Sequence, residues 1–228
     1  MSYFEDVLHL LFPKLCITCD TKLLFNENLI CTLCRHDLPI ICYTDFKKNK
    51  VVNSFSGKIP IDMGASFLLY QKEGKGKKII QQLKYKGNQE VGELMGKWFG
   101  RILKESDQFN EIDLIIPVPL HPKKLKVRGY NQLTTFGLNL AKTLQTVYFP
   151  NVLIRVSSTK TQTIKQRFDR FNNVKTTFKL TEKHHFKDKH VLLIDDVITT
   201  GATIEACCKE LLKSDLTKIS IVTIACTE

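Results

Sequence analysis

Two adjacent carboxylates, Asp195 and Asp196, follow an apolar run and precede a loop rich in small and hydroxyl-bearing residues. The run, residues 191–194, holds only β-branched residues and leucine, which is typical of a strand covered on both faces of a parallel sheet. Open α/β sheets bind ligands at the carboxyl ends of their strands, so these acids are candidates for binding sugar hydroxyls. The loop, residues 199–203, leads into a predicted helix whose first turn offers unpaired N–H groups to a phosphate. The pattern predicts a site for a phosphorylated sugar, rather than acids that only cap a helix.

The segment of residues 191–204 resembles the motif with which type I phosphoribosyltransferases bind phosphoribosyl diphosphate (PRPP). The resemblance implies that Asp195 and Asp196 are the catalytic pair and hold the ribose hydroxyls. It also implies that PRPP binds together with Mg²⁺. The loop that would wrap the 5′-phosphate consists of Thr199, Thr200, Gly201, Ala202 and Thr203.

Four of the eight cysteines form two Cys-x-x-Cys pairs early in the chain, Cys16 with Cys19 and Cys31 with Cys34. Each pair can place two thiolates on one ion, and two such pairs complete a tetrahedral zinc site. Disulfides are the rival interpretation, but nothing in the sequence indicates export, and cytosolic thiols stay reduced. The pattern predicts a closed, structural Zn²⁺ site, and we expect chelation to melt this module before the rest of the chain.

Strand and helix patterns alternate along most of the chain, which predicts parallel βαβ units. Strands are expected at residues 65–70, 113–119, 152–156, 178–180, 191–194 and 219–224. Helices are expected from about residue 77 and at residues 90–103, 131–144, 165–171 and 202–213. We predict an α/β fold with a type I phosphoribosyltransferase-like parallel sheet flanked by helices, over residues 55–228, and a small N-terminal zinc-binding module over residues 1–45. The chain has no Walker lysine loop and no Gly-x-Gly-x-x-Gly motif, so an ATPase or dinucleotide enzyme is not supported.

The formal net charge of +11 is concentrated in two stretches, residues 72–86 and residues 121–128. The first contains six lysines and one acid, and the second contains four basic residues and no acid. Such clustering favours a polyanionic partner, either diphosphate or nucleic acid, although a lysine-rich surface can also serve solubility. No apolar run approaches the roughly 18 residues of a membrane-spanning helix, so we expect a cytoplasmic protein without a transmembrane segment.

Three further segments, together with the cysteine pairs, resemble the ComF family. Its members combine a double zinc ribbon with a phosphoribosyltransferase-like domain and are associated with DNA uptake in natural transformation. The segments are residues 83–87, residues 117–121 with residues 128–132, and residues 162–174. The chain departs from the family pattern where lysines replace the usual arginines before Arg128, and where Ile164 and Lys165 replace glycine and leucine.

The basic segments can contact ligands or can be ordinary surface. Lys84 and Lys86 offer cations to a diphosphate, or they form a solvated helix end. Arg128 can contact a phosphate while Tyr130 stacks on a base, or the tyrosine simply packs. Two arginines further along the chain can bridge phosphates or form surface ion pairs. The candidate nucleic-acid-binding residues are Lys123, Lys124, Lys126, Arg128, Tyr130, Arg167 and Arg170, and the candidate ligand-binding cations are Lys84, Lys86 and Arg128.

Two functions are compatible with these features. The first is a ComF-like competence protein that binds PRPP or a related phosphoribosyl ligand and single-stranded DNA during DNA uptake, together with a competence helicase and other DNA-uptake proteins. The alternative is an active phosphoribosyltransferase of nucleotide metabolism, in which the acids hold the sugar while diphosphate leaves on Mg²⁺. A regulator that senses PRPP without chemistry is a third possibility.

Overall fold

A computed structural model describes residues 12–85, 87–156, 177–181, 186–215 and 218–227 of the 228-residue chain. The helices in these residues are α1 (Thr32–His36), α2 (Lys50–Asn53), α3 (Lys75–Tyr85), α4 (Gln89–Glu105), α5 (Pro122–Arg128), α6 (Thr134–Leu144) and α7 (Ala202–Leu211). The strands are β1 (Gly64–Leu69), β2 (Leu114–Pro117), β3 (Val147–Tyr148), β4 (Leu153–Val156), β5 (Thr177–Leu180), β6 (His190–Ile198) and β7 (Lys218–Cys226). None of these described helices combines the length and the apolar character that crossing a membrane requires.

A five-stranded sheet in the order β1-β7-β6-β2-β3 forms the centre of the fold, and all its neighbouring strands are parallel. This confirms the predicted α/β class with a parallel sheet flanked by helices. The apolar half of β6, residues 191–194, is fully buried, as a continuous apolar run in a central strand requires. Strands β4 and β5 pair with each other in antiparallel fashion instead, so the parallel pattern predicted from alternation does not extend to them.

Strand β6 is longer than the sequence predicted. Its ladder with β7 continues through the pairs Asp195 with Thr223 and Ile198 with Cys226, so the two acids lie within the strand rather than beyond its end. The reason is that β7 is equally long, and its backbone groups remain available as partners along the whole edge. Helix α5 was not predicted either, and the helix expected at residues 165–171 lies outside the described residues.

The signals for α5 were present in the sequence. Pro122 occupies its first turn, where the missing N–H costs nothing, and the His121 side chain accepts a hydrogen bond from the Lys123 N–H at 3.2 Å. Gly129 ends the helix with a φ of 76°, a conformation that glycine adopts without strain. The helix carries the basic stretch of residues 123–128, which includes four of the predicted nucleic-acid-binding residues.

Helices α4 and α6 pack closely on one side of the sheet. A Cβ atom added at Gly96 would lie 2.6 Å from the Phe136 carbonyl oxygen, and one added at Gly100 would lie 2.9 Å from the Thr143 Cβ. Contacts this short leave no room for a side chain, so the two glycines permit the approach of the helices. The pair anchors the segment that follows β2, which carries the basic residues of α5.

The region that precedes the sheet in the chain covers its outer strand. Residues 39–41 run along β1, where the Ile41 N–H donates to the Phe67 carbonyl at 2.9 Å. This pairing satisfies backbone groups that an edge strand would otherwise expose. Lys78 on α3 reaches back and donates to the Thr18 carbonyl at 2.5 Å, which connects the cysteine-bearing segment to the main sheet domain.

Candidate functional site

Strand β6 carries the two acids of the candidate site, and its neighbours place them at the edge where β2 also ends. Pro117, the last residue of β2, is paired with Ile194, and the Val118 N–H donates to the Ile194 carbonyl at 2.9 Å. The chain that leaves β2 therefore starts beside the acids. Successive side chains in a strand point to opposite faces, so Asp195 and Asp196 face different sides of the sheet.

Asp196 is nearly buried and both of its carboxylate oxygens are occupied. Lys84 Nζ lies 2.9 Å from Oδ1, and the Gln132 side-chain amide donates to Oδ2 at 2.8 Å. The Arg128 guanidinium in turn donates to the Gln132 side-chain oxygen at 2.8 Å and lies 5.3 Å from the centroid of the Tyr85 ring. Hydrogen bonds to charged groups are stronger in a site that excludes water than in solvent. The contacts of Asp196 with Lys84 and Gln132 therefore hold its carboxylate firmly in place.

Lys84 was predicted to bind diphosphate, and in this structure its ammonium group is paired with Asp196, the acid predicted to hold ribose hydroxyls. The sequence also gave no role to Gln132, which was noted only as part of a motif. The signal that could have identified it is its spacing of four residues from Arg128, beyond a helix end that brings the two side chains together. Lys86, which was assigned with Lys84, lies outside the described residues.

Ionisation of Asp195, the other acid of the pair, is suppressed. Burial of the carboxyl group and the neighbouring charge of Asp196 raise the pKa of Asp195 to about 8. The Asp196 N–H donates to Asp195 Oδ1 at 2.8 Å, which opposes the shift without cancelling it. The raised pKa favours the protonated form of Asp195, which can donate a hydrogen bond, and shifts of this kind are common at functional sites.

The predicted phosphate loop follows directly after β6 and starts α7. Gly201 is the N-cap residue, with a φ of 74°, and the Ala202 N–H at the start of the helix donates to the Thr200 hydroxyl at 3.4 Å. Thr199, Thr200, Ala202 and Thr203 are exposed. A small cavity of about 30 Å³ lies between the loop and Asp195. Exposed hydroxyls beside the start of a helix are suited to a phosphate, which would lie over the loop rather than inside the cavity.

Replacement of Gly201 by alanine is expected to distort this loop. A Cβ atom there would lie 2.8 Å from Cε1 of the buried Phe55 ring, and the positive φ disfavours any side chain. We expect Gly201→Ala to lower the free energy of unfolding by about 2 kcal/mol and to weaken binding of ribose 5-phosphate by roughly tenfold. Thermal unfolding and isothermal titration calorimetry measure the two effects.

Gly57→Ala is the matched control for this substitution. Gly57 has a similar φ of 73°, but no atom lies within 4 Å of the position that its Cβ would take. Its replacement should therefore lower the free energy of unfolding only by the cost of placing alanine at a positive φ. The affinity for ribose 5-phosphate should stay unchanged. Equal affinities of the two variants for the sugar phosphate would mean that the loop does not bind it.

A second cavity, of about 480 Å³, lies between the end of α3 and helix α5, and we call it the basic pocket. Its lining residues are Lys84, Tyr85, Gly87, Lys123, Lys124, Val127, Arg128 and Tyr130. Four of these side chains are cationic, none is acidic, and two are aromatic. The Tyr130 hydroxyl donates to the Leu83 carbonyl at 3.0 Å, which fixes the ring against the end of α3. Cations beside aromatic faces are suited to a nucleotide strand.

The remaining predicted nucleic-acid contacts are not part of this pocket. Lys126 is exposed on α5 but does not line the cavity. Arg167 and Arg170 lie outside the described residues. The structure thus brings Lys123, Lys124, Arg128 and Tyr130 together, and Lys84 is shared between the basic pocket and Asp196.

The sulfur atoms of Cys16, Cys19, Cys31 and Cys34 lie within 4.8 Å of one another. The Sγ atoms of Cys19 and Cys31 are 3.7 Å apart, and a tetrahedral zinc site with Zn–S bonds of about 2.3 Å needs about 3.8 Å between sulfurs. Burial opposes ionisation of Cys16, but hydrogen bonds from the Thr18 side chain and the Cys31 N–H lower its pKa to about 6. The cluster can therefore hold a metal ion such as zinc.

Known proteins resemble this chain over part of its length. Residues 136–227 match the phosphoribosyl transferase domain family. Competence protein F of Haemophilus influenzae is 31% identical over 147 residues, which cover 63% of this chain and 64% of that protein. The DNA utilization protein YhgH of Escherichia coli K12 is 24% identical over 146 residues, which cover 63% of each. The chain thus aligns with less than two thirds of the length of either relative.

Solved structures are also similar to part of this chain. A hypoxanthine phosphoribosyltransferase from Staphylococcus aureus has a TM-score of 0.37 and 18% identity, over 59% of this chain and 62% of that one. An adenine phosphoribosyltransferase from Trypanosoma brucei has a TM-score of 0.39 and 14% identity, over 69% of this chain and 82% of that one.

Proposed function

We propose that this chain is a ComF-type protein, as its similarity to competence protein F and its match to the phosphoribosyl transferase domain family support, and that it binds PRPP or a related phosphoribosyl ligand and single-stranded DNA during DNA uptake. The observation that carries the proposal is the adjacency of two sites of different chemistry. A paired-acid site with a phosphate-type loop lies directly beside a basic pocket with exposed aromatic rings, and Lys84 belongs to both.

The sugar site uses the acids and the loop in separate roles. The Asp196 carboxylate accepts hydrogen bonds from ribose hydroxyls, while the exposed N–H and hydroxyl groups of residues 199–203 bind the 5′-phosphate. Mg²⁺ is expected to enter with PRPP and to neutralise the charge of its diphosphate. Lys84 has to leave Asp196 before a ribose hydroxyl can take its place, and it then becomes available to the diphosphate together with Lys86.

The strand site is the basic pocket together with the exposed face of α5. Lys123, Lys124 and Arg128 contact phosphates, and Lys126 extends the same positive surface along the helix. Tyr85, whose side chain is mostly exposed, and Tyr130 offer ring faces on which bases stack. Stacking is tolerant of sequence, which suits a protein that handles incoming strands of any sequence.

Strand binding is expected to depend steeply on salt. For single strands, the logarithm of the binding constant falls with the logarithm of the salt concentration by about 0.7 per neutralised phosphate. We expect the double variant Lys123→Gln/Lys124→Gln to reduce this slope by about 1.4, because two contacts are lost. Fluorescence anisotropy of a labelled oligo-dT at several salt concentrations measures the slope.

The control for that prediction removes two lysines from the opposite end of the sheet. Lys104 and Lys142 lie in the last turns of α4 and α6, the helices that lead into the amino ends of β2 and β3. The variant Lys104→Gln/Lys142→Gln should keep the slope of the wild type. A salt-independent affinity of the wild type would refute strand binding through the basic pocket.

A transferase reaction is the second candidate, and the complete set of paired acids and loop favours it. In that reaction the bond between the anomeric carbon and diphosphate breaks, a bond to the acceptor forms, and diphosphate leaves with Mg²⁺. Incubation of the protein with PRPP, Mg²⁺ and free nucleobases tests it by release of diphosphate. Turnover with a base would establish an enzyme, whereas tight binding of PRPP without release would support the competence role alone.

A competence role also implies protein partners and a compartment. We propose that the protein acts in the cytoplasm with a competence helicase and other DNA-uptake proteins. Co-purification of such a helicase with the tagged full-length chain, in the presence of single-stranded DNA, would support this part of the proposal.

A further inference from the structure

We propose that the ion pair between Lys84 and Asp196 couples the two sites, so that a bound strand opens the sugar site and a bound sugar strengthens strand binding. The inference rests on the proposed function, since it requires both ligands. It adds a regulatory connection between them that depends on one side chain.

The first step is that the sugar site is blocked by the protein itself. Asp196 has both oxygens occupied, by Lys84 Nζ at 2.9 Å and by the Gln132 amide at 2.8 Å, and the carboxylate is nearly buried. A ribose hydroxyl that approaches Oδ1 competes with the Lys84 ammonium group for this nearly buried oxygen. The free site is therefore self-inhibited, and any factor that draws Lys84 away increases the affinity for the sugar.

The second step is that the basic pocket supplies such a factor. Lys84 lines this pocket together with Lys123, Lys124 and Arg128. Without an anion, mutual repulsion of these cations favours a Lys84 side chain directed at Asp196. The phosphates of a bound strand neutralise the other cations of the pocket. They also offer Lys84 an anionic partner that can replace the Asp196 carboxylate.

The third step is that the movement can be confined to one side chain. The backbone on the amino side of Lys84 is held by the buried Leu83, whose carbonyl accepts the Tyr130 hydroxyl. Gln132 keeps its position on Asp196 because Arg128 holds its side-chain oxygen. The flexible Lys84 stem can therefore swing between Asp196 and the pocket while the elements that carry both sites stay in place.

Coupling of this kind is reciprocal. If a strand raises the affinity for the sugar by some factor, then the sugar raises the affinity for the strand by the same factor. Ribose 5-phosphate is the suitable probe, because it lacks the diphosphate that would compete with the strand for Lys84.

Calorimetric titration of ribose 5-phosphate, with and without saturating oligo-dT at fixed low salt, tests the inference. We expect the wild type to bind the sugar phosphate about tenfold more tightly when the strand is bound. Lys84→Met should bind it with the same affinity in both conditions. Lys84→Gln, which can still donate to Asp196, provides a second variant should the methionine variant fail to fold.

The control is Lys104→Met, which removes an exposed lysine in the last turn of α4, away from both sites, and should retain the coupling. Equal or weaker sugar binding by the strand-bound wild type would overturn the inference while leaving the proposed function intact. Coupling that persists in Lys84→Met would overturn the inference as well. Failure of ribose 5-phosphate to bind either the wild type or Lys84→Met would instead refute the proposed function, and the coupling with it.

Discussion

Asp196→Asn is expected to weaken binding of ribose 5-phosphate by at least about 100-fold, without weakening the affinity for oligo-dT. A hydrogen bond to a charged group contributes about 1.5–3 kcal/mol, and a ribose that donates two such bonds loses about 3 kcal/mol or more, which corresponds to a factor of 100 or greater. The amide keeps the size of the side chain, so the neighbouring Lys84 and Gln132 retain their space. Isothermal titration with each ligand separately measures both affinities.

Asp113→Asn is the matched control for this substitution. Asp113 also binds a lysine, with Lys189 Nζ at 3.0 Å, and it accepts the His190 N–H at 2.8 Å, but it lies at the amino ends of β2 and β6. Its replacement should leave both ligand affinities as in the wild type. A comparable loss of sugar and strand binding by Asp196→Asn would show that the two sites are not separate. Unchanged sugar binding would refute the proposal that the Asp196 carboxylate holds the ribose hydroxyls.

Loss of the metal is the second change expected to have a large effect. We expect the purified protein to contain one zinc ion per chain, and we expect chelation or Cys34→Ser to unfold the cysteine module while the sheet persists. Metal binding supplies on the order of 10–16 kcal/mol of apparent folding free energy in small zinc modules. Elemental analysis gives the stoichiometry, and hydrogen exchange read by mass spectrometry shows which amides lose protection.

The expected pattern of exchange follows from the contacts of the module. Residues 16–35 depend on the four thiolates, whereas β6 and β7 are buried in the sheet core. Contacts such as Arg35 over the Trp98 ring at 5.2 Å connect the two parts, so α4 should show a smaller effect. Cys42→Ser is the control, because Cys42 is exposed and does not belong to the cluster. A protein that carries disulfides among the four cysteines in place of zinc would contradict this account.

Local sequence patterns sufficed for much of the site because each encodes a short-range constraint. Two Cys-x-x-Cys pairs predicted a four-sulfur cluster, and the described sulfurs do converge. The apolar run before Asp195 predicted the buried central strand, because only a strand covered on both faces excludes polar residues so completely. The alternation of elements likewise predicted the parallel sheet.

The tertiary structure alone decided which of these residues meet. Gln132 and Asp196 are 64 positions apart in the chain, and they come together because β2 and β6 are neighbours in the sheet. The pairing of Lys84 with Asp196, rather than with solvent, depends in the same way on where α3 ends. Spacing along the chain carries no information on such contacts, since strand order is set by packing across the whole domain. The sequence by itself thus determined the chemistry of each group. The fold determined that Lys84, which was expected to bind diphosphate, also pairs with Asp196 in the sugar site.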